Sequence, residues 1–340
     1  MNNTIGVLSL IAGLSLLSSL SSAQYTGNAK YVDPFISTAN WQNELNAMFD
    51  WFRQHPPDSS RQRFQERWQQ TASLDRYGFQ LSDTTWKQYR SYWVNDTAKA
   101  AAMENTHPIL YYLHKAISTS VAEIRSTTVK QGAVIWKLYN MGYVVKTKVA
   151  CFGIDINQPG SAQLAPLLDF VISSHVHGDH SNAELLDAMT AAGKPVYSPF
   201  YSKGVLINST REFSHGEVKL RFTMNVQGDV PVIVSQIDCG ASAHNYTIYH
   251  IGDARSVAGF NPDKHINLFM LHIENAMNVF EAVARVKPGI TVYDHVMELG
   301  HAVNKWRWSY QYTYNKIKQL QPASNYVLTW GEKLVVGNPF

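Results

Sequence analysis

The sequence predicts an α/β fold behind a helical N-terminal segment. From about Tyr31 to Thr127 apolar residues recur at helical spacing, whereas after Thr127 the runs VIWKLYNMGYVVKT, VACFGIDI and LLDFVISS are short, β-branched or aromatic, and cut by Gly, Lys or Pro. The helix-like NAELLDAMTAAG follows the third run, and strands interleaved with helices make a layered α/β architecture.

At 340 residues and 45% hydrophobic content the chain has ample apolar surface for a buried core, so general disorder is excluded. Lys and Arg number 29 against 26 Asp and Glu, without a basic block, which argues against a nucleic-acid partner. Residues 1–23 predict a secretory signal cut near Ala23: an apolar run from Ile5 to about Leu17 leads into Ser21, Ser22 and Ala23, with no Lys or Arg in front. That run is shorter than the roughly 20 residues of a spanning helix. The expectation is a secreted or periplasmic protein with no stable membrane span. In such a compartment Cys151 and Cys239 could pair in one disulfide or stay as buried thiols. Sequons at Asn95, Asn208 and Asn245 carry meaning only in a eukaryotic secretory pathway.

Residues 24–128 form the helical segment. Trp41, Leu45, Met48, Phe49 and Phe52 share one helical face that stops at Pro56-Pro57. A second helix is predicted over Asp58–Gln70, capped by Asp58 or Ser59, then one carrying Trp86, Tyr89, Tyr92 and Trp93, and a last one over Leu110–Arg125. The stripe Trp86, Tyr89, Trp93 suits core packing better than a substrate pocket. Residues 129–340 hold the strands, with GEVKLRFTM, VPVIVSQI, NYTIYHIGD, INLFMLHI and GITVYDH following the helix that ends at Gly193. A further helix carrying Phe280, Val283 and Ala284 ends at Pro288-Gly289.

The chemistry concentrates in SSHVHGDHSN, residues 173–182. His175, His177, Asp179 and His180 fall within six residues directly after a strong apolar strand, and imidazole and carboxylate are the usual non-thiolate zinc ligands. A solvated loop has no need of that density. Gly178 is expected to permit a tight bend between His177 and Asp179. The chain has no GxSxG elbow, no Walker-A loop and no GxGxxG after a strand, so serine-hydrolase, P-loop and dinucleotide readings lack support.

Asp155 in FGIDI, the HVHGDH run, Asp253 in YHIGDAR and His295 in ITVYDH come in the order of the metallo-β-lactamase fold superfamily, which residues 129–340 resemble. The resemblance implies an αββα sandwich of two mixed β-sheets flanked by helices. It implies one or two metal ions, usually Zn2+ though other divalent metals are possible. Carried over, His175 and His177 bind the first metal, Asp179 and His180 the second, Asp253 bridges both, His295 completes the second site, and Asp155 supports without binding.

One ligand of that pattern is missing. The family usually has another first-metal histidine at the end of a strand before the GD motif, where GEVKLRFTM ends in Asn225. His215, which opens a strand, His244, a hairpin-turn residue, and His250 are the possible replacements, and an altered or single-metal site is the alternative. His301 and Glu298, just past His295, are either supporting or substrate-facing groups, with a surface role for His301 the plain alternative. His55, His107, His114, His265 and His272 are read as structural.

The implied function is an exported metal-dependent hydrolase, a metal-bound hydroxide attacking an ester, lactone or phosphodiester bond of a small-molecule or lipid-like substrate, with Asp179 also orienting the water. The spacing is nearest to the lactonase-like and phospholipase-like branches. A β-lactamase, disfavoured by Asn225 and the long helical segment, and a non-catalytic metal-binding protein of the same fold are the alternatives.

Overall fold

The computed structural model describes residues 40–303 and 305–340, so the expected signal segment lies outside the described residues. Five helices come first: α1 (Trp41–Gln54), α2 (Arg61–Gln80), α3 (Asp83–Asn95), α4 (Thr97–Glu104) and α5 (Pro108–Ser126). The predicted second helix starts later and runs longer than its pattern suggested. Ser60 Oγ caps it by accepting from Arg63 N at 3.0 Å, while Asp58 instead accepts from Ser60 N in the preceding turn. Beyond Gln70 the apolar period continues through Leu74 and Tyr77, which are buried. Helix α4, TAKAAAME, has no apolar stripe and is set by its Asp96 cap, so periodicity does not reveal it.

Fourteen strands among the described residues form two seven-stranded sheets. The first contains β1 (Ala133–Lys137), β2 (Tyr143–Thr147), β3 (Cys151–Ile154), β4 (Phe170–Ile172), β5 (Val196–Ser198), β6 (Val205–Leu206) and β14 (Lys333–Val336), ordered β14-β1-β2-β3-β4-β5-β6. The second contains β7 (Arg211–His215), β8 (Val218–Gln227), β9 (Val230–Asp238), β10 (Thr247–His250), β11 (Leu268–His272), β12 (Ile290–Asp294) and β13 (Asn325–Tyr326), ordered β13-β12-β11-β10-β9-β8-β7. Each is mixed: β3 to β6 and β10 to β13 are parallel, the remaining neighbours antiparallel.

Strand period explains the layers. In β1, Ala133 and Ile135 join Tyr143, Val145, Phe152, Ile154, Ile248, Met270 and Val292 between the sheets, while Val134 and Trp136 face outward toward the helices. Strands covered on both faces read as continuous apolar runs, which is why VIW, FVI and LFML lack alternation. Helix α6 (Ala183–Ala191) packs on β4 and β5, and α7 (Val279–Val286) packs on β11 of the other sheet. The expected αββα sandwich is the observed architecture.

The helical segment is keyed into that sandwich by buried polar groups. Trp136 Nε1 donates to Glu123 at 3.0 Å, setting α5 against β1. Arg67, 1% exposed, pairs with Glu332 at 2.7 Å and also donates to the carbonyls of His55 and Val327. Asp75 accepts from the backbone N–H groups of Tyr310 and Gln311 at the start of α8 (Tyr310–Ile317). Trp86 and Tyr89 are buried, as core packing requires. Cys151 and Cys239 are free rather than bridged, and burial pushes each thiol up to about 12. No helix among the described residues is long and apolar enough to cross a membrane.

Removing the Arg67 charge leaves the Glu332 carboxylate buried without its partner. Arg67→Met is expected to lower stability by about 3–5 kcal/mol in denaturant or thermal melts. Lys87→Ala, which breaks an exposed pair with Asp83, should leave the melt close to that of the parent chain.

Candidate metal centre

Parallel strands in one sheet end side by side, so residues that follow them meet at one edge. In register, Ile154 lies opposite Ile172, His250 opposite Met270 and His272 opposite Asp294. Asp155 therefore follows β3, the HVHGDH run follows β4, Asp253 follows β10 and His295 follows β12, all at the same end of the sandwich. Ile233 N donates to Ser174 O at 2.9 Å and ties the edges of the two sheets together there.

Backbone geometry at this edge is unusual. Gly252, before Asp253, has φ +50, and a Cβ on it would come within 2.3 Å of Ser174 Oγ, so the GD motif needs glycine. Gly178 does not fulfil its expected role. Its φ is outside the left-handed region and a Cβ there would meet nothing within 4 Å, because the turn is closed by His180 N bonding His177 O. The left-handed residues are instead Asp155 (φ 43), His295 (φ 62) and Met297 (φ 58). Such conformations cost on the order of 1 kcal/mol or more each in non-glycine residues. Asp155 is held by Ser174, whose N–H and Oγ–H both donate to it at 2.6 Å. Strand β12 is pinned just before His295 by Asp294, which accepts from Lys137 Nζ at 2.5 Å and from Tyr143 OH, all three buried.

The predicted residues converge. His175 Nε2 lies 3.0 Å from His177 Nδ1 and 3.9 Å from Asp253 Oδ2. His180 Nε2 lies 3.1 Å from Asp253 Oδ1 and 3.7 Å from Asp179 Oδ2, and His295 Nε2 lies 3.0 Å from Asp179 Oδ2. Ligand atoms bonded at about 2.1 Å to one ion stand about 3.0–3.4 Å apart in octahedral or tetrahedral placement. The shorter contacts have that spacing. Two sets, His175 with His177 and Asp253, and His180 with Asp253 and His295, each bring their ligand atoms within 4.8 Å of one another.

The donor chemistry fits a cation. His180 Nδ1 faces Asp155 Oδ2 at 2.7 Å, so that nitrogen carries a proton and Nε2 is the atom directed at Asp253 Oδ1. Neither His180 Nε2 nor Asp253 Oδ1 has a hydrogen-bond partner although both are buried. Two acceptors facing at 3.1 Å repel unless a proton or a metal ion lies between them. Burial opposes a charge on His180, yet Asp253, Asp179 and Asp155 outweigh it and hold the pKa well above the ordinary imidazole range. His175 behaves oppositely: burial and the neighbouring His180 push it down to about 3, so it is neutral near pH 7.

Several expectations about the missing histidine change. Asn225 does not end its strand, because β8 continues to Gln227. Asn225 instead orders the chain after Asp253, donating to Ser256 O and accepting from Ser256 N. Gln227 Nε2 donates to Asp253 Oδ2 at 2.7 Å, while its Oε1 is buried without a partner. Gln227 thus holds the same Asp253 oxygen that lies 3.9 Å from His175 Nε2. His215 closes β7 rather than opening a strand, and bonds Tyr197 OH at 2.6 Å. His244 sits in a left-handed turn against Gly337, and His250 faces Asp155 at 3.5 Å. None of the three joins the His175–His177 set.

His272 and Glu298 also reach the cluster. His272 Nδ1 accepts from Glu274 N, so its Nε2–H points toward Asp253 Oδ1 at 3.7 Å while its ring stacks on His295 at 4.0 Å. A nitrogen that carries a proton is not a ligand, so His272 faces the Asp253 carboxylate as a donor rather than joining a ligand set. Glu298 is buried, accepts from Gly300 N, and is pushed up to about 7 by burial and Asp179. A polar residue before the Gly228-Asp229 turn was the sequence signal for Gln227, and a charge inside the apolar ITVYD strand was the signal for Asp294.

No family model and no curated protein matches this chain. Solved structures do. The metallo-β-lactamase fold protein YhfI from Bacillus subtilis is 15% identical, with 61% of this chain and 97% of that one covered at a TM-score of 0.44. The chain resembles metallo-β-lactamase fold proteins. A possible metal-dependent hydrolase from Veillonella parvula is 16% identical over 62% of this chain and 100% of its own, at 0.46. An isothiocyanate hydrolase from Delia radicum gut bacteria is 13% identical over 59% and 98%, at 0.47. The ligand geometry stands independently of these likenesses.

Two outcomes follow from the geometry. A metal ion that binds His180 Nε2 must displace the proton its raised pKa retains, so zinc added at pH 7 should release protons, and calorimetry in buffers of different ionisation enthalpy should register them. The release should be smaller in His180→Ala. Gln227→His supplies a third imidazole beside His175 and His177, and should tighten the weaker metal equivalent about tenfold or more, about 1.4 kcal/mol, in chelator competition.

Proposed function

We propose that this chain is a metal-dependent hydrolase acting on an ester, lactone or phosphodiester bond, exported after cleavage near Ala23. The observation that carries the reading is the pair of buried atoms without a hydrogen-bond partner, His180 Nε2 and Asp253 Oδ1, facing each other within a His/Asp cluster. A divalent cation there, with zinc suited to the nitrogen-rich set, supplies Lewis acidity and lowers the pKa of water from 15.7 to about 7.

The chain's own residues do the rest. His175, His177 and Asp253 would hold one position, with Gln227 fixing the orientation of the Asp253 carboxylate, and His180, Asp253 and His295 a second. Asp155 fixes the His180 tautomer, and the Lys137–Asp294–Tyr143 group holds the strand that delivers His295. Asp179, its Oδ2 ringed by imidazoles and its pKa pulled down by His180 and His295 against the effect of burial, remains a carboxylate that can orient an attacking water. Val176, 51% exposed and adjacent to His175 and His177 in the chain, and Trp306, 56% exposed with its ring centroid 6.0 Å from that of His301, would give the cluster an apolar rim. An apolar rim favours substrates with a hydrocarbon portion beside the scissile bond.

The test is metal analysis of the full chain beside His180→Ala and His295→Ala, followed by hydrolysis assays on p-nitrophenyl esters, lactones, phosphodiesters and nitrocefin. Stoichiometric metal in the parent chain, reduced in both variants, and turnover that a chelator abolishes and zinc restores are expected. Metal without turnover of any panel member would favour a non-catalytic binding protein, while nitrocefin as the preferred substrate would make it a β-lactamase. Equal metal content in all three proteins would sink the assignment.

A further inference from the structure

Past His295 the chain turns back on itself, and His301 returns to the cluster. His301 Nε2 lies 3.4 Å from Asp179 Oδ2, and its ring stacks on His295 at 5.3 Å. The ligand atoms of Asp179, His295 and His301 lie within 4.8 Å of one another, a set separate from the two that contain Asp253.

Three features distinguish His301 from a surface histidine that happens to be nearby. Its Nδ1 faces Trp306 O at 3.0 Å, and a carbonyl can only accept, so Nδ1 carries the proton and a neutral ring offers its lone pair at Nε2, toward Asp179. A hydrogen bond from the remote nitrogen to a backbone carbonyl is the usual way a ligating histidine is oriented. The main chain is also held: Arg307, 4% exposed, donates from Nε and Nη2 to His301 O and from Nη2 to Leu299 O, while its Nη1 reaches Gly78 and Leu81 O in the helical segment. Finally, Asp179 Oδ2 has Nε2 atoms of His295 and His301 at 3.0 and 3.4 Å, a spacing that ligands around one ion take up, with His180 Nε2 farther off at 3.7 Å.

We propose that His301 is a metal ligand, and that with Asp179 and His295 it forms an outer position for a divalent cation at the mouth of the cluster. This rests on the reading of the cluster as a metal centre. Two imidazoles and one carboxylate leave the remaining positions of that ion open to water and substrate, a set known to suit first-row divalent metals. His295 belongs to this set and to the inner one with His180 and Asp253, so an ion bound to its one lone pair would take either the inner or the outer position. The His301 side chain is 24% exposed, which places the outer position where a substrate would arrive.

The experiment uses the full chain loaded with Co2+, whose visible absorption reports ligand number and type, together with chelator competition. His301→Ala should bind the second Co2+ equivalent at least about tenfold more weakly, alter its visible bands, and recover both with added imidazole. His301→Gln, which fills the same space, gives the same readout if the Ala variant melts early. Unchanged affinity and spectrum in a folded variant would overturn the proposal while leaving the metal centre standing. A parent chain that binds no Co2+ would overturn both.

Discussion

Three carboxylates, Asp155, Asp179 and Asp253, crowd around the buried ring of His180, and the surrounding structure is arranged to hold that charge in place. Burial alone would protonate or expel such a group. Here each carboxylate is opposed by imidazole: Asp155 by His180 and His250, Asp253 by His175, His180 and His272, Asp179 by His180, His295 and His301. The cluster still presents facing acceptors, and that residual demand for positive charge is what a metal ion would meet.

The sandwich serves this demand through direction. Parallel segments in both sheets end at one edge, so residues from five strands meet without long loops, and the buried Lys137–Asp294 pair anchors the strand that delivers His295. The helical segment is part of the same arrangement. Through Arg307 it grips the turn carrying Leu299 and His301, and through Trp86 it packs near Gly300, so the outer wall of the cluster is set by residues more than two hundred positions apart in sequence.

The departure at the expected third histidine has a local cause. The long β8–β9 hairpin carries its ladder from Lys219 opposite Asp238 to Gln227 opposite Val230, two residues beyond Asn225. Residues 225 and 227 share a strand face, so one serves the chain after Asp253 and the other serves Asp253 itself. A strand end read two residues short is a small error in secondary structure and a large one in chemistry.

Sequence by itself determined the layered α/β class and the density of ligands in the HVHGDH run, because hydrophobic period and local spacing are properties of neighbouring residues. Asp155, Asp253 and His295 were marked as companions of that run only through the resemblance to the metallo-β-lactamase fold, whose order they follow. Only the tertiary structure decided which of thirteen histidines meet. His301 faces Asp179, His272 presents a proton rather than a lone pair, His250 faces Asp155 from behind the cluster, and His215 and His244 stand apart, since each outcome depends on register, backbone turn and the hydrogen bond at the other ring nitrogen. Those are distances between residues far apart in the chain, and no local pattern encodes them.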